Sequence, residues 1–225
     1  FGPATATISS SANANSTPGA ISSSFTLTTL SDGNLLNNAS STEGTNSILT
    51  SGSKNNIRYE ISNVNTTKGT FTLAIRAGND NQKRKQTIET FTNVSLDPNS
   101  NNYLAKAVGD QFNTIGTDEN LNPFVKLEGD YPRKSKYVRV SDISNIADYL
   151  DENGDVRVTA VATGSLPAAG SGSEGGGFSG GTDGWSGFDG LGNHFSITPS
   201  AGGSATGSAV NFYENIADTN TQGFN

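Results

Sequence analysis

Few residues in this chain have the types and spacing that catalysis or metal binding requires. The chain has no cysteine and a single histidine, His194. Thiolate catalysis and cysteine-ligated zinc or iron–sulfur sites are therefore excluded. His194 lies in a glycine-rich stretch with no second imidazole, and a catalytic triad or a zinc site needs positioned partners. We interpret it as a loop histidine and expect no catalytic residue, no cofactor, no metal ligand and no enzymatic activity.

Two motifs resemble the loops that hold calcium or a dinucleotide, but their spacing is wrong. Residues 151–155 place glycine fourth rather than sixth, and Ala162 occupies the twelfth position, where a calcium loop needs a bidentate glutamate. The glycine-rich run at 170–177 follows a predicted strand, but no helix that could bind phosphate begins directly after it. We interpret the first motif as a turn and the second as a linker.

Two short basic runs are candidates for contact with an acidic partner surface. They are Lys83-Arg84-Lys85 and Arg133-Lys134-Ser135-Lys136. Surfaces of opposite charge favour association, and the whole chain has a net charge of −7. A second copy of the chain could therefore supply the acidic face, and the alternative is that both runs are solvated turns.

The composition limits the class of protein. Hydrophobic residues are 32% and charged residues 16% of the chain, and glycine, serine, threonine and asparagine supply most of the rest. This composition favours strands joined by polar loops over a helical bundle. The net charge of −7 argues against direct binding of nucleic acid, and no stretch approaches the roughly 20 apolar residues of a membrane span. Because the chain has no methionine, even at position 1, we expect a fragment or a processed form.

Alternation of apolar and polar residues predicts a mainly β domain with antiparallel pairing. The clearest pattern is a hairpin, with strands at 57–64 and 71–75 joined by a turn at 66–69. The other predicted elements are strands at 25–30, 87–94, 136–140 and 156–162, a helix at 101–108 capped by Asn99 or Ser100, and a helix capped by Ser141 or Asp142 that carries Ile143, Ile146, Ala147 and Leu150. We expect one core to contain Tyr59, Ile61, Phe71, Leu73, Ile75 and Val158.

The hairpin block resembles that of the contractile tail sheath proteins of bacteriophages. The resemblance rests on residues 57–62, 69–76 and 89–97, on the turn Ser95-Leu96-Asp97-Pro98-Asn99-Ser100, and on the helix start Asn102-Tyr103 with residues 108–111 after it. Residues 178–184 and a predicted helix at 209–216 look like the family's glycine-rich entry into its subtilisin-like α/β domain. The resemblance covers the chain from about Phe25 onward and is strongest between Asn56 and Gln111.

The resemblance, combined with the composition of the polar segments, implies a domain plan. It is an extended linker at 1–23, an antiparallel β-sandwich-like domain with two short helices at 24–163, a Gly/Ser-rich connector at 164–207, and the truncated start of an α/β domain at 208–225. In this family, subtilisin-like describes a likeness of fold without protease activity. The family's extended terminal arms, which add strands to the sheets of neighbouring subunits, match nothing in this chain, so the resemblance implies the middle of a longer polypeptide.

The resemblance also implies a mechanical function in the virion. Sheath subunits assemble as six-membered rings in a helical stack around the tail tube, and contraction drives the tube through the host envelope. The implied partners are other copies of the chain, the tail tube protein, the baseplate and the tail terminator, with no direct contact to nucleic acid and no membrane span. A bistable assembly of nearly rigid subunits requires no catalytic site.

Two other classes of protein stay open. A β-sandwich adhesin or carbohydrate-binding module on a virion or cell surface would use an exposed aromatic side chain, such as Trp185, as a platform for sugar. A hydrolase would need its catalytic residues in a part of the protein outside this chain.

Overall fold

The fold is mainly β, and all pairings between its strands are antiparallel. The computed structural model describes residues 3–10, 23–32, 43–50, 52–144, 149–156, 166–167 and 175–180. The strands are β1 (Pro3–Ser9), β2 (Ser24–Asp32), β3 (Ile57–Asn65), β4 (Thr70–Ala77), β5 (Thr87–Val94), β6 (Phe112–Thr117), β7 (Pro123–Glu128), β8 (Val138–Ser144) and β9 (Gly175–Gly177). These ranges also hold one α-helix, α1 (Leu104–Val108), and one 3₁₀ turn, Thr45–Ser47.

Two sheets lie face to face. The first has the strand order β1-β2-β8 and the second β5-β4-β3-β9, while β6 and β7 form a separate hairpin. Phe25 of β2 stacks on Phe71 of β4 with ring centroids 5.8 Å apart, so aromatic side chains of the two sheets meet in the interior. The sheets also join at one edge, because Thr5 of β1 exchanges backbone hydrogen bonds of 2.8 and 2.9 Å with Ser179, just beyond β9.

The core lies between these sheets and contains most of the predicted members. Ile61, Phe71, Leu73 and Ile75 are buried there, and Tyr59 packs against them partly buried. Val158 lies outside the described residues. The first sheet contributes Ala4, Ala6, Ile8, Phe25, Leu27, Val138 and Val140.

The predicted hairpin at 57–75 is confirmed. β3 and β4 pair with Ile61 opposite Leu73, and β5 follows as the predicted third strand. The turn between β3 and β4 contains Gly69, whose φ of +67° suits glycine. A Cβ at this position would lie 2.4 Å from the ring of Tyr149. Glycine is therefore required at this position both by the backbone and by its neighbour.

The helix predicted at 101–108 is confirmed only in its second half. α1 begins after Tyr103 and has no side-chain cap. Asn99 and Ser100 do not cap it, because they belong to a preceding turn in which the Ser100 hydroxyl accepts a hydrogen bond from the Asn102 backbone N–H. The buried face of the helix then packs toward β5 and β8.

The linker predicted at 1–23 is wrong for residues 3–10. They form β1, in which Ala4, Ala6 and Ile8 alternate inward and pair with β2. The Ala4 backbone N–H also donates to the Thr29 hydroxyl at 2.9 Å. Two of the three inward side chains are alanines, so the alternation is weak in hydrophobicity, although backbone pairing holds the strand in the sandwich.

The second predicted helix is also wrong where it is described. Ile143 lies in β8, which continues to Ser144 and pairs with β2. Leu150 forms an isolated bridge with Val156 rather than a helical turn. The spacing of the apolar residues suited a helix, but the backbone groups of this segment are satisfied by the ladder with β2. Residues 145–148 lie outside the described part of the chain.

Part of the connector predicted at 164–207 belongs to the sandwich. Leu166 and Phe178 are buried in the core. β9 pairs with β3, and a Cβ at Gly175 would lie 1.8 Å from the backbone oxygen of Tyr59, so only glycine allows this approach. The connector assignment is therefore wrong for residues 166–167 and 175–180. The remaining connector, residues 157–162 of the last predicted strand, and the α/β start at 208–225 lie outside the described residues.

The β6–β7 hairpin was not predicted from the sequence. It pairs Phe112 with Glu128 at its base and Thr117 with Pro123 near its tip. No core residue of the sandwich comes from these two strands, so the pattern lacks the buried alternation on which strand prediction depends. Within the described residues, no helix is long and apolar enough to span a membrane.

Candidate functional site

A cluster of six charged side chains lies on the outer face of the second sheet. In β3 and β4, alternate residues point away from the core, and the segment at 43–56 contributes partners on that side. Arg58 and Arg76 are each only 1% exposed. The charge cluster consists of Glu43, Arg58, Glu60, Arg76, Asp80 and Lys85.

Arg76 is the centre of the charge cluster. Its Nε and Nη2 donate to the two carboxylate oxygens of Asp80 at 2.7 and 2.8 Å, and its Nη1 donates to Glu60 Oε2 at 2.8 Å. The other oxygen of Glu60 accepts from Lys85 Nζ at 2.6 Å. The pair of hydrogen bonds from Arg76 to Asp80 is bidentate, which is the strongest form of a charge-assisted hydrogen bond.

Arg58 connects the sheet to the segment that covers it. Its Nη1 donates to the Ser47 backbone oxygen at 2.7 Å, and its guanidinium forms an ion pair with Glu43. Asp80 Oδ1 lies 3.6 Å from the same Nη1. Burial, followed by repulsion from Arg76, lowers the pKa of Arg58, and the carboxylates of Asp80 and Glu60 act in the opposite direction.

The charge cluster is suited to holding structure rather than to catalysis. Three cations face three carboxylates, so the formal charge of the group is zero, and its members include no hydroxyl, thiol or imidazole. One sequence signal was available, because the hairpin register places Arg58 directly opposite Arg76. Like charges in that arrangement repel each other and require carboxylates nearby.

The β6–β7 hairpin presents an apolar face to solvent. Directly opposed residues of an antiparallel pair share a face, and Ile115 is opposite Val125 while Leu127 is opposite Asn113. Ile115, Val125 and Leu127, which we call the hairpin face, are 81, 70 and 56% exposed. Soluble proteins rarely expose so many large apolar side chains together unless another molecule covers them.

The opposite face of the hairpin packs on itself and on the sandwich. The Arg139 guanidinium lies 4.0 Å from the ring centroid of Phe112. The ring of Phe124 covers Gly116, where a Cβ would be 3.1 Å from the ring. The charges of Lys126 and Glu128 pair at 3.1 Å on this same face. The hairpin therefore has one face with charged side chains, which contacts the sandwich at Phe112, and another face of exposed uncharged side chains.

The tip of the hairpin holds an exposed leucine in an unusual conformation. Asp118 fixes the turn, since its Oδ1 accepts from the backbone N–H groups of Asn120 and Asn122 at 2.8 Å. These hydrogen bonds, led by that from Asn122, lower the pKa of Asp118. Leu121 has φ of +63° and is 81% exposed. Glycine or asparagine is favoured in that conformation, so leucine costs backbone energy as well as exposed apolar area.

A cleft of about 260 Å³ lies where strands of the two sheets begin or end. Tyr137 in its lining is two residues before Arg139, which contacts the hairpin at Phe112. Its apolar lining includes Ile57, Ile88 and Tyr137, and its polar lining includes Lys54 and Asn55. Ile88 and Tyr137 are both among the exposed large apolar side chains of the described residues. Of the described residues in the lining, Lys54 is the one that carries a charge.

The motifs rejected as ligand loops are described in part. Asp151 Oδ1 accepts from the backbone N–H groups of Asn153 and Asp155 at 2.8 and 2.9 Å, so the predicted turn is confirmed. Of the glycine run, residues 175–177 form β9. His194 and Trp185 lie outside the described residues.

The basic runs are less free than the sequence indicated. All three residues of the first run are exposed, but Lys85 Nζ also pairs with Glu60 of the charge cluster. In the second run, Ser135 is buried, and its hydroxyl donates to Glu89 Oε2 at 2.6 Å. Both runs lie in turns, but each has one residue that anchors the turn to the sandwich.

Metal binding and similarity to known proteins add no further site. Among the residues that the structure describes, no group of three or more histidine, cysteine, aspartate or glutamate side chains could hold a metal ion. Comparison with protein-family models, with curated proteins and with solved structures found no match to the chain.

Proposed function

We propose that this chain is a structural subunit that assembles with copies of itself as the contractile sheath of a phage tail. The observation that carries self-assembly is the hairpin face, where Ile115, Val125 and Leu127 are exposed together outside the sandwich. Contact between copies removes this apolar surface from water. The likeness of residues 57–111 to sheath proteins directs the proposal to that assembly.

In the proposed assembly the sandwich moves as a nearly rigid body. The core between the sheets and the charge cluster outside them support both sides of β3 and β4. A subunit of this kind can exchange one set of contacts for another without refolding. The proposed partners are further copies in rings and helical stacks, the tail tube protein, the baseplate and the tail terminator, and the proposed location is the virion, with no catalytic step.

The test is the assembly state of the purified 225-residue chain. We expect light scattering to show association that grows with protein concentration, and negative-stain electron microscopy to show rings or tubes. A chain that stays monomeric at every concentration and salt level would contradict the proposal. Replacement of Val125 by Lys should weaken association without loss of thermal stability, because this side chain is exposed in the single chain.

A further inference from the structure

We infer that the hairpin tip of one copy inserts Leu121 into the cleft of the next copy, with Ile88 and Tyr137 as its apolar walls. This inference rests on the proposed function and names one contact between copies, in addition to any contact that the hairpin face makes. Leu121 is an exposed apolar side chain at the end of a projecting hairpin. The cleft is a concave site whose walls include two exposed apolar side chains. The two features match as a knob and a pocket.

The sizes of knob and pocket agree. A cavity of about 150 Å³ is large enough to hold a six-carbon benzene ring. The cleft has about 260 Å³, so it has room for the four-carbon side chain of Leu121 and for part of the turn that carries it. Leu121 also has an unusual φ of +63°. Residues in disfavoured backbone conformations are concentrated at functional positions, so this conformation supports a functional role for Leu121.

The charges around the knob and the pocket are complementary. Between Thr117 and Asn122 the tip carries Asp118 and Glu119 and no cation. Among the described residues that line the cleft, Lys54 is the one charged side chain. A tip with two negative charges therefore approaches a pocket with one positive charge, which favours encounter and fixes the orientation.

A single chain cannot make this contact with itself. Tyr137 lies in the chain two residues before Arg139, whose guanidinium is 4.0 Å from the ring of Phe112 at the base of the hairpin, and each hairpin strand has six residues. At about 3.4 Å per residue the tip projects roughly 20 Å away from that base. The occupant of the cleft is therefore a second copy. Because the knob and the pocket are different surfaces, the contact is head-to-tail and repeats as a ring or a helical filament.

The direct test uses the absence of cysteine from the chain. One preparation carries Leu121→Cys and the other carries Ile88→Cys together with a size tag, and the two are mixed under mild oxidation. We expect the mixed disulfide dimer to exceed both homodimers, since a disulfide forms only between closely approaching Cβ atoms. Thr117→Cys, on the same hairpin, is the control partner for Ile88→Cys. Equal yields with Thr117→Cys and Leu121→Cys would overturn the inference.

A second test measures association without cross-linking. Leu121→Gly removes the knob and relieves the left-handed backbone, so it should raise thermal stability slightly and weaken association by at least about tenfold. Leu121→Met keeps an apolar knob and should associate like the wild type. Wild-type association by Leu121→Gly would contradict the inference.

A charge exchange tests the orientation. Lys54→Glu alone and Glu119→Lys alone should each weaken association at low salt, and the double variant should recover it. Additive losses in the double variant would contradict the pairing of tip and cleft.

The tests separate this contact from the proposed function. If the wild type forms rings or tubes but the Leu121→Cys and Ile88→Cys preparations give no excess of mixed disulfide, this contact is wrong and the proposed function stands. If the wild type does not associate at all, both fail.

Discussion

At the scale of single residues, the interactions that decide stability are those of buried charges. Arg76 has lost almost all of its hydration and depends on Asp80 and Glu60 for three charge-assisted hydrogen bonds. A complete set of partners makes such a group tolerable, whereas removal of one partner leaves an uncompensated charge in the interior. The cluster therefore fixes how the segment at 43–50 lies on the sheet more than it adds net stability.

Asp80→Asn should destabilise the chain by about 3–5 kcal/mol, because it leaves the guanidinium of Arg76 without its bidentate carboxylate. Denaturant unfolding measures this loss. The matched control is Glu128→Gln, which breaks the exposed pair with Lys126 and should cost less than about 1 kcal/mol. Equal losses in the two variants would show that Asp80 is not buried in the folded protein.

The raised pKa of the Tyr149 hydroxyl predicts that the chain loses stability at high pH. Burial raises its pKa to about 12, and its hydroxyl donates to the Thr66 backbone oxygen. In the unfolded chain the group releases its proton near its ordinary pKa of about 10. The stabilisation is therefore complete below pH 10 and falls as the pH rises toward 12, by up to about 2 kcal/mol.

Unfolding of Tyr149→Phe across this pH range provides the comparison. At neutral pH the variant should be less stable by about 1 kcal/mol, because one hydrogen bond is lost. Above pH 10 the difference from the wild type should shrink, and near pH 12 its sign should reverse, because the wild type then loses more stability than the hydrogen bond provides. Burial also raises the pKa values of Tyr59 and Tyr103. Both proteins should therefore still lose some stability as the pH rises. Parallel curves for the two proteins would rule out the role of Tyr149.

At the scale of elements, prediction succeeded where alternation is strong in hydrophobicity and short turns fix the register. β3 and β4 meet both conditions, whereas β5 alternates less regularly and follows a longer connection at 78–86. β1 and β9 meet neither, since their inward residues are alanine, glycine and one isoleucine, and their pairing partners lie far away in the sequence. The charge cluster was missed for a related reason, because alternation marks Arg58 and Glu60 as outward but does not show that the segment at 43–56 covers them.

Phe178→Ala tests whether the segment around β9 belongs to the sandwich. The ring of Phe178 is fully buried and lies edge-on to Tyr59, with centroids 6.1 Å apart. Its removal should cost about 3–5 kcal/mol, as should Phe71→Ala in the centre of the core. Val125→Ala, on the exposed hairpin face, should stay within about 0.5 kcal/mol of the wild type. A loss of stability for Phe178→Ala as small as that for Val125→Ala would show that the segment around β9 is a connector and not part of the sandwich.

At the scale of the whole molecule, apolar and charged surfaces are distributed unevenly. The hairpin face and its tip expose uncharged apolar side chains, and the sandwich carries exposed cations in its turns on a chain of net charge −7. Each exposed ion pair contributes only about 0–1 kcal/mol. In a repeating assembly, however, every subunit contributes the same pair, so weak contacts can favour one arrangement of subunits over another.

The contribution of exposed charges to assembly can be tested at Lys83 and Arg84 without damage to the fold. Both are exposed, and it is their neighbour Lys85 that pairs with the buried Glu60. Lys83→Glu with Arg84→Glu should therefore leave thermal stability within about 0.5 kcal/mol of the wild type. It should change the salt dependence of assembly, measured by light scattering from low to high salt, because screening removes the contribution of exposed charges. Lys68→Glu, in the exposed turn between β3 and β4, adds half as much negative charge at another site and controls for the sign of the change in net charge. Identical assembly of all three proteins across the salt series would mean that the 83–84 turn is only solvated and takes no part in the contact between copies.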